Sequence, residues 1–229
     1  VAEREARGTL YGVIFAPFVR KVRVVLAAKG IAHHHVSVMP GTMDASFLAK
    51  SPLSKVPVWE EPDFLLPDSS AICAYLERRV PSPSVYPSDP RAFASALFWE
   101  EYADTRLVEA AEPIFYERVV RPHVLRQTCN EEVVRRQLEE VVPPVFDQLE
   151  SLFLSPGPLR AGAPEGGGIG AGLEISAIAV WSPILNLEHV GLAVDAARWP
   201  ALAAFMAAMN AHPVLSPIVG QERAALGHR

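Results

Sequence analysis

The chain has 229 residues, 50% of them hydrophobic, and a net charge of −5; that length supports one large domain or two ordinary ones, each with its own core. The acidic balance contains no basic block, which argues against nucleic acid as the main partner. Cys73 and Cys129 are the only cysteines, far apart and without C-x-x-C or metal-ligand spacing, so a disulfide framework and a structural zinc site are not expected and a reducing cytoplasm is.

In chain order, Val1 to Gly8 is charged rather than apolar, and no run of about eighteen apolar residues occurs, so neither a signal peptide nor a membrane span is predicted. Thr9 to Ile14 reads as a strand ended by Phe15-Ala16-Pro17. Pro17 suits a first helical turn, and the helix runs from Phe18 to Lys29 with Val22, Val25, Leu26 and Ala28 on one face. Arg20, Lys21 and Arg23 are expected on the other faces, and Gly30 terminates. Ala32 to Met39 is a second strand and Pro40-Gly41 a turn, completing βαβ. His33, His34 and His35 alternate faces along that strand, so they cannot all reach one ion and no metal is expected. Asp44 to Lys50 is a short irregular helix leading into Ser51-Pro52.

The stretch that follows is the most informative. In Lys55-Val56-Pro57-Val58-Trp59, Pro57 removes an N–H that a strand ladder would use, so the bond before it lies at an edge or is cis. A cis bond would turn the backbone of Val56 outward. Glu60-Glu61-Pro62-Asp63 forms a turn, Phe64-Leu65-Leu66 returns as a strand, and Pro67 stops it. Asp68 or Ser69 caps a helix from about Ser70 to Arg79, whose free N–H groups and positive dipole end make a carboxylate site. Exposed polar backbone at Val56, an anion-binding helix start and the Asp68 carboxylate together suit a peptide-like, zwitterionic ligand.

Val80 to Pro90, with four prolines and three serines in eleven residues, reads as a linker. Helices are expected at Arg91 to about Val120, Glu131 to Leu154, Leu173 to Asn186, Trp199 to Ala211 and Ser216 to Leu226. Pro113 and Pro143-Pro144 should kink or break two of them. Gly168-x-Gly170-x-Gly172 lacks a preceding strand and the G-x-G-x-x-G spacing, so the stretch from Ala161 to Gly172 reads as a surface loop rather than a nucleotide site. The division is residues 1–79, a linker at 80–90, and an all-helical part at 91–229.

The order β-α-β-α-β-β-α, carrying KVPVW and then PDSSAI, resembles the glutathione-binding half of the thioredoxin-like domain of cytosolic glutathione transferases. An all-helical second half extends that resemblance over nearly the whole chain. It implies an α/β thioredoxin-like N-terminal domain, a C-terminal helical bundle, a cytoplasmic homodimer, glutathione as co-substrate with no metal, and an apolar electrophile. It assigns the Val56 backbone, presented beside Pro57, to the cysteinyl backbone of glutathione, Asp68 to the γ-glutamyl ammonium and Ser69 to its carboxylate. Lys55 is assigned to the glycine carboxylate, although the omega-like pattern would put a lysine near Met43. The electrophile pocket falls to Phe15, Tyr102, Arg106, Ala110 and Trp181.

Phe15-Ala16-Pro17-Phe18 looks like the bacterial and omega-like form in which Ser or Cys precedes Pro-Phe. Ala16 has neither hydroxyl nor thiol, so no side chain of the usual kind is left to activate the thiol, and the remaining help is the backbone around Phe18 at the helix start. A hydrogen bond to a charged acceptor is worth about 1.5–3 kcal/mol, so its loss costs roughly one to two units of thiol pKa. Tyr11 carries a hydroxyl but sits early in its strand, as core or surface filler. Glu174-Ile175-Ser176-Ala177 lacks the family's Ser/Thr-x-x-Asp capping box, which costs about 1 kcal/mol or somewhat more and points to relaxed constraint or to a helix start shifted to Ser176. Two activities fit: a transferase, or a binding protein of the same fold without the chemistry.

Overall fold

Strands β1 (Thr9–Tyr11), β2 (His34–Val36), β3 (Val58–Glu61) and β4 (Phe64–Pro67) form one mixed sheet in the order β2-β1-β3-β4. They are seen in a computed structural model that describes residues 8–39, 41, 43–154 and 173–227. The expectation for Ala161 to Gly172 lies outside the described residues. The chain divides into two compact units, Val1–Val85 and Tyr86–Arg229.

In the first unit β1 runs parallel to β2 and antiparallel to β3, which pairs antiparallel with β4. Three helices complete it: α1 (Pro17–Ala28), the short α2 (Ala45–Leu48) and α3 (Ser69–Arg79). This βαβαββα order is thioredoxin-like. The first strand is shorter than the apolar run Thr9 to Ile14, because Gly12 leaves the extended region at φ 145° while its N–H still reaches the Val36 carbonyl at 2.9 Å. Leu10, Val22, Val25, Leu26, Val58, Trp59, Ile72 and Leu76 make the core where α1 and α3 pack together. Each such side chain contributes about 1.5–3 kcal/mol by leaving water. Arg20, Lys21 and Arg23, on the other faces of α1, are buried as well. The segment after α3 is anchored, since Lys29 Nζ donates to the carbonyls of Val80 at 2.7 Å and Pro83 at 2.9 Å.

The second unit is helical: α4 (Pro90–Tyr102), α5 (Val108–Phe115), α6 (Glu131–Arg136), α7 (Val142–Leu154), α8 (Ile175–His189), α9 (Pro200–Ala211) and α10 (Ser216–Ala225). Pro113 and Pro143-Pro144 do not end their helices. Wide π-type turns at Ala103–Leu107, Tyr116–Val124 and Gln137–Val141 join α4 to α5, extend α5 and join α6 to α7. Pro113 has no N–H for the carbonyl four residues back, that of Glu109, and Gln137 Nε2 donates to it instead at 2.9 Å.

Helix α9 is capped from a distance. Trp199 at its N-cap offers no acceptor, so the Glu150 carboxylate of α7 takes the N–H groups of Ala201 at 2.9 Å and Leu202 at 2.8 Å, while Asp147 accepts from Trp199 Nε1 at 2.7 Å. Helix α8 starts at Ile175, one residue before Ser176, with Glu174 at the N-cap and no side-chain cap bond. Among the described residues, no single helix is long and apolar enough to cross a membrane.

Candidate active site

The loop from β1 to α1 is built from backbone. The N–H of Ala16 returns to the Val13 carbonyl at 3.1 Å, Arg20 Nη2 donates to the Phe15 carbonyl at 3.3 Å, and Arg23 Nη1 donates to that of Ile14 at 3.4 Å. Ala16 is the N-cap of α1, extended at φ −67° and ψ 125°, and no side chain caps the helix. Pro17 at the first helical position has no N–H, so Phe18 and Val19 present the first donors of a twelve-residue helix. Those two N–H groups and the positive end of the helix are what this loop offers an anion.

Gly12 brings the next element in. A Cβ at this position would lie 2.4 Å from Val19 Cγ2 and 3.2 Å from the Cβ of Val56, so the loop, the first turn of α1 and Val56 meet over a bare glycine. The Val56–Pro57 peptide is cis. Val56 precedes the paired register of β3, which begins at Val58, so its N–H and C=O stand outside the ladder. Ser51 sets the backbone before it, with Oγ accepting from the Lys55 N–H at 3.0 Å and donating to the Lys55 carbonyl at 2.7 Å. The Lys55 side chain itself is exposed.

Asp68 caps α3, its Oδ1 accepting from the Ala71 N–H at 2.9 Å, and it does so at φ 80°. A left-handed backbone at a residue other than glycine is uncommon and concentrates where structure is organised for a ligand. Asp68 is exposed, Ser69 is buried at the first position of the helix, and Ser70 Oγ accepts from Lys21 Nζ at 3.0 Å. The structure thus brings Val19, in the first turn of α1, and Val56 together at Gly12, and ties α1 to the α3 start beside Asp68 and Ser69.

Other expected residues fall elsewhere. Ala110 and Trp181 have no exposed surface, and Trp181 Nε1 donates to Asn210 Oδ1 at 2.9 Å. Both are core residues of the helical unit, which corrects their placement in a pocket: small and aromatic side chains at helical spacing serve packing first. Tyr102 is half-buried, its hydroxyl donates to Gln148 Oε1 at 3.0 Å, and burial pushes its phenol up. Arg106 is exposed and 4.0 Å from Glu109, and Phe15 is half-buried in the first unit. The Tyr11 hydroxyl donates to Glu60, which also pairs with Lys50, so it is taken up away from Ala16.

His35 Nε2 lies 2.7 Å from the Gly12 carbonyl, and burial holds both His33 and His35 below their ordinary range. Among the described residues no group of three or more His, Cys, Asp or Glu is placed to hold a metal ion. Sequence reasoning gave no site role to Gly12, Lys21 or His35. Only Gly12 carried a local signal, a glycine inside an apolar strand run.

Residues 10–84 match the family described as glutathione S-transferase, N-terminal domain. The chain is 30% identical over 207 residues to a probable glutathione S-transferase, GSTU6, of Oryza sativa subsp. japonica, an alignment covering 86% of this chain and 81% of that protein. The chain belongs to the glutathione S-transferase family. Solved members share its fold: the crystal structure of a glutathione S-transferase from Rhodospirillum rubrum F11 superposes with a TM-score of 0.79 at 24% identity, over 92% of this chain and 91% of that one. A glutathione S-transferase-I bound with lactoylglutathione superposes with a TM-score of 0.76 at 21% identity, over 94% and 99% of the two chains.

Proposed function

We propose that this chain is a glutathione transferase of the omega-like form, in which Ala16 stands where that form carries Ser or Cys, and that it joins the glutathione thiolate to an apolar electrophile. The observation that carries the reading is the start of α1, which no side chain caps, with the side chains of Val19 in its first turn and of Val56 meeting at Gly12. The thiol gives its proton to solvent, the N–H groups and helix dipole hold the thiolate, and sulfur then forms a bond to the electrophilic carbon. That carbon's bond to a leaving group breaks with the electron pair departing on that group, or, at an activated double bond, the π pair moves to the far atom, which takes up a proton from solvent. The Val56 backbone pairs with the cysteinyl unit, Asp68 takes the γ-glutamyl ammonium, Ser69 its carboxylate, and Lys55 the glycine carboxylate. Residues 1–79 carry this half, 80–90 connect, and 91–229 hold the electrophile, with Tyr102 and Arg106 as its contacts there.

The protein works in the cytoplasm as a homodimer, which would cover the exposed Phe64 and Leu65 of β4 and Phe93, Leu97 and Phe98 of α4. Without a hydroxyl at Ala16 the thiolate lacks about 1.5–3 kcal/mol of help, so turnover is slow. Calorimetric titration with reduced glutathione tests the reading directly. Saturable binding supports it, together with conjugation that rises about tenfold on Ala16→Ser. No heat at two temperatures, or no conjugation in either form across several electrophiles, overturns it.

A further inference from the structure

Gly12 is where β1 leaves the sheet, and both of its backbone polar groups are held by β2. Its N–H donates to the Val36 carbonyl at 2.9 Å, and its own carbonyl lies 2.7 Å from His35 Nε2. The paired register of the two strands ends at Tyr11 and Val36, so the imidazole takes the carbonyl where the ladder stops. A carbonyl only accepts, so Nε2 carries the proton and donates. The four carbonyls that follow are occupied too. Val13 accepts from the Ala16 N–H at 3.1 Å, Ile14 from Arg23 at 3.4 Å, Phe15 from Arg20 at 3.3 Å and Ala16 from the Arg20 N–H at 2.9 Å. The bond from His35 is the shortest of the five.

The carbonyl held by His35 also has the most leverage. A Cβ at Gly12 would lie 2.4 Å from Val19 Cγ2 and 3.2 Å from Val56 Cβ, so this backbone borders the first turn of α1 directly. At φ 145° it belongs to a residue with little conformational restraint of its own, and the neighbouring strand supplies that restraint through His35. Donors held in place beforehand stabilise a charge without reorganising, whereas a loop that must be ordered each time loses part of that stabilisation.

We infer that His35 is a positioning residue for the conjugation: by holding the Gly12 carbonyl it fixes the turn out of β1 against Val19, and so keeps the Phe18 and Val19 N–H groups in place for the thiolate. This rests on reading the start of α1 as the thiolate site.

The test is an ultraviolet titration of glutathione bound to the full chain, which follows the absorbance of the thiolate. Wild type is expected to hold the thiol below the free value of about 8.5. His35→Leu, which has no donor, should raise the bound value by about half a unit to one unit and slow conjugation near neutral pH about three- to tenfold. His35→Gln still donates and should stay within about twofold of the wild-type rate. Arg23 of α1 and His33 of the same strand, the charged and titratable neighbours of His35, are the same in every variant. S-methylglutathione has no thiolate to receive, so its binding should be equal in all of them. His35→Thr, too short to reach Gly12, gives the same reading should His35→Leu not fold. A thiol value and rate unchanged in His35→Leu, a loss as large in His35→Gln, or S-methylglutathione binding that weakens in step with the rate overturns the role of His35. Wild type that binds glutathione with its thiol at the free value, or does not bind it, overturns the reading of the α1 start itself.

Discussion

Lys29 Nζ at the end of α1 lies 2.6 Å from Glu77 Oε2 in α3, with the lysine side chain wholly buried and the glutamate 15% exposed. The same ammonium holds the Val80 and Pro83 carbonyls, so one side chain closes α1, α3 and the segment beyond them. Lys29→Met strands all three acceptors and is expected to cost about 3–5 kcal/mol, read as a shift in urea midpoint.

Burial alone would push the Glu77 carboxyl up, but hydrogen bonds from Lys29, Ser84 and the Val85 N–H outweigh it and hold the group below its ordinary 4.5. A carboxyl depressed in the fold stabilises above its unfolded value, and that stability is lost as pH falls through the folded value. Urea unfolding between neutral pH and the acid limb should therefore be less pH-dependent in Glu77→Gln than in wild type.

The histidines titrate with the same sign by a different route. Burial first lowers His33 and His35 from 6.5, against the pull of the Ile31 and Gly12 carbonyls; His35, Arg23 and His34 lower His33 further, and Arg23 lowers His35. The unfolded chain binds these protons more readily, so stability is complete above the unfolded value and is lost as pH falls below it. His35→Gln, which keeps a donor for Gly12, should flatten that part of the stability profile, and an NMR titration of the rings should find both below 6.5.

Gly12→Ala places a methyl 2.4 Å from Val19 Cγ2 on a backbone at φ 145°. A loss of about 2–4 kcal/mol is expected from strain and crowding together. Adding Val19→Ala relieves the contact but not the dihedral, so thermal denaturation of the double variant should recover only part of the loss. Glutathione binding should weaken in both.

Asp68 has a structural and a ligand role that two substitutions separate. Asn keeps the cap and tolerates φ 80°, so Asp68→Asn should stay within about 0.5 kcal/mol of wild type, whereas Asp68→Ala loses about 1–2 kcal/mol. Both remove the negative charge, and calorimetry should show weaker glutathione binding in each.

Much of the first unit was legible from residues alone. Pro57 inside an apolar run announced an unusual peptide, and Asp68-Ser69 after Pro67 announced a capped helix, because both signals act on their own backbone. The burial of Arg20, Lys21 and Arg23 was not legible, since whether a charge is buried depends on partners distant in sequence, as Ser70 is for Lys21. Ala110 and Trp181 were expected in a pocket and lie in the core: nothing in a helical spacing tells a core face from a pocket wall. Pro113 was expected to bend its helix, and the side chain that answers it, Gln137, is too far along the chain for any local pattern to reveal.

The wide turns of the second unit also bear on how its sequence should be altered. A π-type turn carries one residue more than an ordinary turn, and each residue of an α-helix advances the side-chain direction by about 100°. Deleting a single residue from Ala103–Leu107 would restore regular winding there and leave Ala110 and Ile114 on the buried face, whereas regular winding with the residue kept would swing both off it by about 100°. Position-by-position transfer of residues between relatives is meaningful beyond this point only when both chains carry the extra residue.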